Sequence, residues 1–408
     1  MASLDAAPAV APNRAAFAFI FVTVALDMLA FGIMAPVLPK LIIDMRHGDI
    51  ASAAMVTGVF GFTWAAMQFV CSPVVGALSD RFGRRPLILL SNFGLGADYI
   101  LMALAPNLGW LFVGRVISGI TAASFSTAGA YVADVTPPER RAEMFGKLAA
   151  AFGLGFVVGP ALGGLLGQIS LRLPFWAAAG LSLANAAYGY FILPESLAVE
   201  KRAKVAWKLA NPFGSLKLLR SQPSLLALAS VSFLFFLANE SLPSVYILYV
   251  DYRYAWSEWQ MGISLAFIGV CSTVVQAALV GPVVKKLGER KALLVGLVFG
   301  LLGMLLFGVA PSTAVFLAGI PFISLWGFAT PSVQSLMTRR IDPTEQGRLQ
   351  GAVASIRGIT GMVGPILFTQ VLARAIDAHA AATVSGAPFL LASLLVAASF
   401  LWALRVAR

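Results

Sequence analysis

Charged residues are scarce in this chain. Of 408 residues only 12% are Asp, Glu, Lys or Arg, while 59% are hydrophobic and the mean hydropathy is +0.86. Soluble domains carry about 25% charged residues, so water is not the main solvent of this protein. Apolar runs of about 20 residues, enough to cross a hydrocarbon core about 30 Å thick, recur along the whole chain. The composition predicts an all-α membrane protein with many spans.

Histidine and cysteine are nearly absent, with two of each. His47 and His379 fall in predicted outside loops, whereas Cys71 and Cys271 lie inside apolar runs. A cysteine there is expected to be a small buried hydrophobe rather than half of a disulfide or a metal ligand. A phosphate-binding P-loop is missing as well. These absences disfavour ATP-driven pumping and metal catalysis, so we expect a protein that is not an enzyme and uses no cofactor.

Basic residues outnumber acidic ones, and the formal net charge is +11. Such a charge can indicate nucleic-acid binding. Here Lys and Arg cluster in the breaks between apolar runs rather than along one helix face or a basic arm. This distribution favours a role in membrane orientation, and we expect no nucleic-acid partner.

Twelve apolar runs are long enough to be membrane spans. They cover residues 15–38, 52–78, 86–105, 109–133, 145–168, 174–193, 223–248, 259–285, 290–309, 312–338, 346–372 and 384–405. If the N-terminus is cytoplasmic, only five of the 29 Lys and Arg residues fall in outside loops, namely Lys40, Arg46, Arg172, Arg253 and Arg374. The positive-inside rule therefore predicts that both termini are cytoplasmic.

An internal repeat relates the two halves of the chain at an offset of 205 residues. Gly76 corresponds to Gly281, and Gly159-Pro160 corresponds to Gly364-Pro365. The largest polar break, 194–222, is basic and is predicted to be a cytoplasmic linker between six-helix halves at 1–193 and 223–408. Two parallel halves around a central cavity are the geometry of alternating-access transporters.

Ionisable side chains inside the spans are the first candidates for function, since each costs a few kcal/mol in lipid. They are Asp27, Asp98, Arg115, Glu240 and Arg357. Asp27 falls near the middle of the first span, where low polarity opposes the charged form and makes reversible protonation near neutral pH feasible. The alternative for each of the five is a static ion pair or a polar contact between helices.

Glu240 and Arg357 lie at comparable depth in the second half. They either form a salt bridge or recognise a substrate. An arginine in a cavity binds carboxylates or phosphates bidentately, whereas a glutamate favours amines, so the pair together permits zwitterions. Further candidate substrate contacts are the polar and aromatic residues Gln68, Asn239, Tyr246, Trp326 and Gln334, for which interhelical packing is the alternative.

Three motifs resemble the major facilitator superfamily. Gly76 to Pro86 reads GALSDRFGRRP, is similar to the signature loop of that family, and lies between the second and third spans as the family requires. Arg115 to Gly119, RVISG, resembles the fourth-helix arginine motif, and Gly155 to Gly164, GFVVGPALGG, resembles the fifth-helix motif of antiporters. Together these motifs indicate a drug/proton antiporter with twelve spans in two pseudo-symmetric halves.

A closer similarity is to the tetracycline/proton antiporters. It rests on Leu26-Asp27 with Pro36-Val-Leu-Pro39, on Ala97-Asp98-Tyr99, and on Gln350-Gly351 with Gly364-Pro365. The chain departs from that group in the second half, where Ser272 stands in place of an expected histidine and 292–309 is apolar in place of an expected acidic residue. The resemblance therefore does not extend to the residues expected for metal-bound tetracycline.

The resemblance also implies roles for particular residues. Arg115 would face the first span and modulate the proton affinity of Asp27, with Asp98 and Glu240 as further coupling candidates. Asp80 would cap the start of span 11 in the outward-facing state while Arg84 pairs with Asp134. The implied gating set is Gly76, Asp80, Arg81, Arg84, Arg85, Asp134, Gly159 and Pro160. The alternative for the loop is a topology signal alone, and for Gly159-Pro160 it is helix packing.

These features predict proton-coupled efflux of amphipathic organic compounds or drugs by alternating access, in a manner like the tetracycline exporters. The protein is expected to be a monomer in the bacterial inner membrane that uses the proton gradient and binds only small molecules, protons and lipid. The alternative is a proton-coupled symporter or facilitator importing a sugar, amino acid or organic acid. A receptor or scaffold is disfavoured because no signalling domain is attached and the central loop is short.

Overall fold

The computed structural model describes residues 14–122, 124–137, 140–202, 216–342, 345–378 and 385–407. Within them the chain forms a bundle of twelve membrane-crossing segments. Spans 1 to 6 are Arg14–Met34 with Val37–Met45, Ile50–Phe82, Arg84–Leu104, Leu108–Thr121 with Ser124–Val135, Arg141–Ile169, and Leu173–Ile192. Spans 7 to 12 are Pro223–Asn239 with Ser241–Tyr254, Glu258–Val274 continuing to residue 288, residues 289–309, Thr313–Leu325 with Ala329–Thr338, Gln346–Asp377, and Ala387–Val406.

Length and apolar composition account for most of these spans. In the part of the chain that is described, nine helical stretches are long and apolar enough to cross a membrane, and one of them, Glu258–Val309, has 52 residues and crosses twice. Spans 4 and 6 complete the twelve. The predicted twelve-span, all-α fold is confirmed. The proposed division at 193 and 223 stays a prediction, and His379 and residues 203–215 of the predicted linker fall outside the described residues.

The predicted signature loop is mostly helix rather than loop. Span 2 runs to Phe82, Gly83 alone breaks the chain with φ 104°, and span 3 begins at Arg84. Gly288, which lies 205 residues after Gly83, makes the same break between spans 8 and 9 with φ 76°. Only glycine adopts such positive φ values readily. The repeat found in the sequence is thus present in the backbone, and a one-residue turn sets the angle of both hairpins.

We call the end of the bundle that carries residues 76–86 the loop end, and the other the far end. At the far end, span 2 packs on span 11 and span 5 on span 8. A Cβ added to Gly262 would lie 2.3 Å from the Pro160 carbonyl oxygen, and one added to Gly61 would lie 2.8 Å from Pro365 Cβ. Such contact needs small residues. The two halves of the chain are therefore closed against each other at the far end.

At the loop end the same four spans are apart. A Cβ added to Gly76 in span 2, Gly146 in span 5, Gly281 in span 8 or Gly347 in span 11 would meet no described atom within 4 Å. Span 8 also contains a π-helical turn, Val275–Leu279, just beyond its last close contact with span 5. Such turns are frequent at functional sites in helices. The structure is a conformation that is open at the loop end.

Candidate transport pathway

Asp27 is buried between spans 1 and 6. Its side chain is 6% exposed, and its Oδ1 accepts a hydrogen bond of 2.9 Å from Asn185 Nδ2. The same amide donates to the Thr23 carbonyl oxygen at 3.0 Å, which fixes its orientation. Among the described residues this amide is the one side-chain donor to Asp27, and a buried carboxylate in such surroundings is costly unless it takes up a proton. This environment suits a carboxyl group that binds and releases protons.

Asp98 and Arg115 form a second buried site, between spans 3 and 4. Asp98 is 1% exposed and neither carboxyl oxygen has a hydrogen-bond partner among the described residues, although the Arg115 charge attracts it. The Arg115 guanidinium also lies 5.7 Å from the centre of the Trp64 ring, a cation–π contact. Tyr99 lies within electrostatic reach of Asp27, Asp98 and Arg115. The two acids therefore belong to one polar region inside the first half.

This arrangement differs from the one that the resemblance implied. We expected Arg115 to act on Asp27 in span 1, but the acid beside Arg115 is Asp98, and Asp27 is paired with Asn185 instead. A buried cation is stabilised most by the nearest carboxylate, and Gly114 lets span 4 approach Asp98 closely because an added Cβ would lie 2.8 Å from its Oδ1. The coupling roles of these residues stay predictions.

Glu240 and Arg357 form a third charged group, in spans 7 and 11. Glu240 lies at the junction of helices Pro223–Asn239 and Ser241–Tyr254. The Arg357 guanidinium lies 4.2 Å from the centre of the Phe236 ring. Its charge and that of Glu240 attract each other, but no ion pair within 4.0 Å joins these two described side chains. This conformation therefore does not contain the salt bridge between Glu240 and Arg357 that was one of the predicted alternatives.

The other predicted substrate contacts differ in their surroundings. Asn239 is exposed, Gln68 is half-buried, and Gln334 donates to Gln350 Oε1 at 2.8 Å across spans 10 and 11. Tyr246 and Trp326 are buried; Tyr246 packs on Phe307 and Phe316, and an added Cβ on Gly300 would meet the Trp326 ring. In this conformation Tyr246 and Trp326 are packing residues, and contact with a substrate stays a prediction for all five.

The loop-end residues form a network centred on Arg84. Its Nε donates to Asp134 Oδ2 at 3.1 Å, the pair that the resemblance implied, and its Nη1 lies 2.5 Å from Asp80 Oδ1. Glu195 accepts from the backbone N–H groups of Arg84 and Arg85 at 2.8 and 3.3 Å, which caps the start of span 3. In the open loop end Asp80 is thus held within its own half.

Two further members of the predicted gating set have local partners. Arg81 lies over the Phe82 ring at 5.1 Å, and Arg85 donates to the Tyr190 carbonyl oxygen at 2.6 Å. Gly159 in span 5 allows close contact with span 1, because an added Cβ would lie 2.7 Å from Gly32 Cα. The helix contact expected for the Gly159-Pro160 motif is present, while its part in gating stays a prediction.

Two polar side chains that contact charged residues on other helices were missed by sequence reasoning. Asn185 is one, because an asparagine in an apolar run gives no sign of which helix it faces. The other is Lys40, read as a loop residue but placed in helix Val37–Met45 at the far end. Its Nζ lies 2.5 Å from Asp251 Oδ1 and 3.7 Å from Glu258 Oε1, so it joins the two halves of the chain. We call these three residues the far-end latch.

Lys40→Gln is expected to weaken closure of the far end. The substitution leaves Asp251 and Glu258 near each other without a cation, and charge-assisted hydrogen bonds contribute about 1.5–3 kcal/mol. We expect about a tenfold shift toward the state open at the far end, and Asp251→Asn added to Lys40→Gln should reverse part of it. Spin labels at residues 46 and 312 would report the distance. An unchanged distance distribution in Lys40→Gln would show that the latch is not needed.

Comparison with known proteins agrees with this geometry. The model of the Major Facilitator Superfamily matches residues 20–365 and 273–407. The chain is 39% identical over 351 residues to the tetracycline resistance protein, class C, of Escherichia coli, covering 86% of this chain and 88% of that one. It is 32% identical over 362 residues to the class H protein of Pasteurella multocida, with 87% and 88% covered.

A solved structure shows the same fold. The crystal structure of the human organic anion transporter MFSD10 (TETRAN) matches with a TM-score of 0.71 at 24% identity, over 96% of this chain and 100% of that one. The family model and the bacterial relatives each cover most of the sequence. The chain therefore belongs to the major facilitator superfamily and is a multi-pass membrane transporter of the group that contains the tetracycline resistance proteins.

Proposed function

We propose that this transporter exports amphipathic organic compounds, tetracyclines among them, in exchange for protons. The observation that carries the proposal is the pair of buried carboxyl groups, Asp27 and Asp98, inside a bundle closed at one end and open at the other. The tetracycline resistance proteins, 32–39% identical over most of the chain, support the type of cargo. The proton gradient serves as the energy source, and the mechanism needs no cofactor.

The basic breaks between spans favour a cytoplasmic loop end and cytoplasmic termini, in a bacterial inner membrane. On that orientation the conformation described here faces inward. Cargo would enter from the cytoplasm between the parted spans 2, 5, 8 and 11, and closure of the loop end would accompany opening of the far end. We propose that one chain completes this cycle, because its own two halves form both the closed end and the open end.

Protonation would drive release. Outside, protons bind Asp27 and Asp98, and Glu240 when its carboxylate is not occupied by cargo. The protonated carboxyl groups no longer hold a cationic cargo, which leaves. The empty protein then returns to the state open at the loop end with its carboxyl groups protonated, and deprotonation at the cytoplasmic side resets the cycle. Export thus follows because cargo and protons compete for the same carboxyl groups.

Symport is the alternative. Arg357 could hold an organic acid that enters with a proton. The sign of coupling separates the two, because an antiporter moves protons opposite to its cargo.

The test uses purified protein in liposomes with a pH-sensitive dye inside, under an imposed proton gradient. Tetracyclines, lipophilic cations, sugars and organic acids are added one at a time. Proton movement opposite to a tetracycline or lipophilic cation supports export. Proton and solute movement in the same direction would establish the importer, and the absence of any solute-dependent flux would refute both.

A further inference from the structure

Arg357 faces the space between spans 7, 10 and 11. It is exposed although it lies inside a span, and its guanidinium covers the Phe236 ring of span 7. Gln350 lies seven residues earlier, which is about two helical turns, so both side chains share one face of span 11. Gln350 accepts a hydrogen bond from Gln334 of span 10. This face is therefore turned toward the interior of the second half and not toward lipid.

The Arg357 guanidinium packs on the Phe236 ring, but its N–H edge has no partner among the described residues. Stacking on a ring uses the face of the planar group and leaves its N–H edge available for a carboxylate. No hydrogen bond from Arg357 is found among the described residues. An exposed guanidinium edge of this kind can bind an acidic group bidentately.

Glu240 stands across from this edge, at a fixed position. A Cβ added to Gly364 of span 11 would lie 2.3 Å from Glu240 Cβ, so a glycine is needed there to admit the glutamate. The helix of span 7 changes at Glu240, whose backbone N–H is bonded to the carbonyl groups of Phe236 and Leu237. Backbone contacts thus keep the carboxyl group near the guanidinium without an ion pair between them.

We propose that Glu240 and Arg357 are the two poles of a binding site for a zwitterionic amphipath. The ammonium group of the cargo binds Glu240, and its acidic oxygens bind the free edge of Arg357. A proton that reaches Glu240 neutralises its carboxylate and displaces the ammonium group of the cargo. This inference rests on the proposed function and names the chemical class of cargo that the export cycle would take.

The experiment compares three probes in the liposome assay, each with and without EDTA: tetracycline as a zwitterion, ethidium as a permanent cation, and deoxycholate as an anion. Arg357→Gln is expected to raise the KM for tetracycline at least tenfold and leave that for ethidium within twofold. Glu240→Gln should weaken both. Arg357→Lys keeps the charge but loses the bidentate edge, and should fall between Arg357→Gln and the unaltered protein. Arg374→Gln, an exposed arginine on the same helix, is the matched control.

The outcomes separate this inference from the proposed function. If the unaltered protein shows no proton exchange with any probe, the export proposal fails. If it exports tetracycline but Arg357→Gln has an unchanged KM, or affects ethidium equally, the zwitterion site is refuted and export stands. Transport of tetracycline that stops in EDTA would also overturn the site, because the cargo would then be a metal complex. Size-exclusion profiles and thermal unfolding in detergent check that each variant is folded.

A second observation concerns charge at the loop end. At the offset of 205 residues, five charged residues of the first half correspond to residues of opposite sign in the second: Asp80 to Lys285, Arg84 to Glu289, Asp134 to Arg339, Arg140 to Glu345 and Glu143 to Arg348. The ion pairs are preserved. Arg84 binds Asp134 as Arg339 binds Glu289, and Arg140 binds Glu143 as Arg348 binds Glu345. At these five positions the two halves thus carry opposite charges, whereas Arg81 and Arg85 correspond to Lys286 and Arg290, which have the same sign.

The packed far end shows how these surfaces would meet. Spans 5 and 8 are antiparallel, with Gly164 against Gly262 and Gly153 against Thr273. If this register continued for ten residues toward the loop end on both helices, Glu143 would stand opposite residue 283, within two residues of Lys285. Spans 2 and 11 follow the same register from Phe69 against Gly358, which brings Asp80 opposite residue 347, beside Arg348.

We infer that closure of the loop end joins Lys285 of span 8 to Glu143 of span 5, in addition to the contact of Asp80 with the start of span 11 that the resemblance implies. Lys285→Glu should shift the population toward the open loop end about threefold or more, as should Glu143→Lys, and the combined exchange should restore the original balance. Spin labels at residues 149 and 287 report the distance. A combined variant no closer to the original than either single one would overturn the inference.

Discussion

Asp27→Asn is expected to abolish proton-driven accumulation of cargo while leaving the fold and passive exchange intact. Asparagine has nearly the shape of aspartate, and its amide oxygen can accept the hydrogen bond that Asn185 donates to Asp27 Oδ1 at 2.9 Å. It cannot bind or release a proton near neutral pH. The substitution therefore removes the chemistry at a buried site without emptying it. Cargo-dependent proton flux should fall below detection.

The measurement needs two readouts on the same liposomes. Counterflow of labelled cargo without a proton gradient reports passive exchange, and dye fluorescence reports proton movement. Counterflow should persist in Asp27→Asn while proton movement is lost. Asp44→Asn, an exposed carboxyl group near the end of span 1, is the control and should match the unaltered protein. Proton-driven accumulation that survives in a folded Asp27→Asn protein would remove this carboxyl group from the mechanism.

Gly262→Val is expected to prevent the far end from closing. In the closed far end an added Cβ would lie 2.3 Å from the Pro160 carbonyl oxygen and 3.0 Å from Gly164 Cα. Both are backbone atoms, so spans 5 and 8 would have to separate. Overpacking typically costs about 1–3 kcal/mol, which corresponds to about a 5- to 150-fold change in population. We expect transport to fall at least tenfold and the far end to stay open.

Gly281→Val is the matched variant, because the same substitution is made on the same span at the loop end. Within the described residues an added Cβ there meets nothing within 4 Å, so the conformation seen here should be unaffected. Closure of the loop end should instead become harder. Both variants should lose transport, with the label distances at the two ends changing in opposite senses. Shifts in the same direction would contradict the alternation of the two ends.

The buried acids show how far sequence reasoning reached. Asp27, Asp98 and Glu240 could be singled out because charge inside an apolar run is rare and costly in lipid. Their partners could not, since a helix turns by about 100° per residue and packing decides which neighbour each face meets. Asn185 beside Asp27, and Asp98 beside Arg115, became visible only when six helices were packed together.

More of the structure of the loop end could be predicted from the sequence. The repeat of 205 residues predicted equivalent turns, and Gly83 and Gly288 have the positive φ values that such turns need. The boundaries were less accurate. Residues 76–82 belong to span 2, because a helix continues into water as long as its backbone stays hydrogen-bonded, and glycine with φ 104° is the first residue that cannot continue it.

By itself, the sequence determined that this protein crosses the membrane twelve times in two related halves, since the length and spacing of apolar runs set the number of spans in a bilayer. It also determined which buried charges are candidates for proton and cargo binding. Only the tertiary structure decided which end is closed and by what. The pairing of Lys40 with Asp251, 211 residues apart, depends on the relative positions of two helices from different halves, and a local pattern contains no information about such a distance.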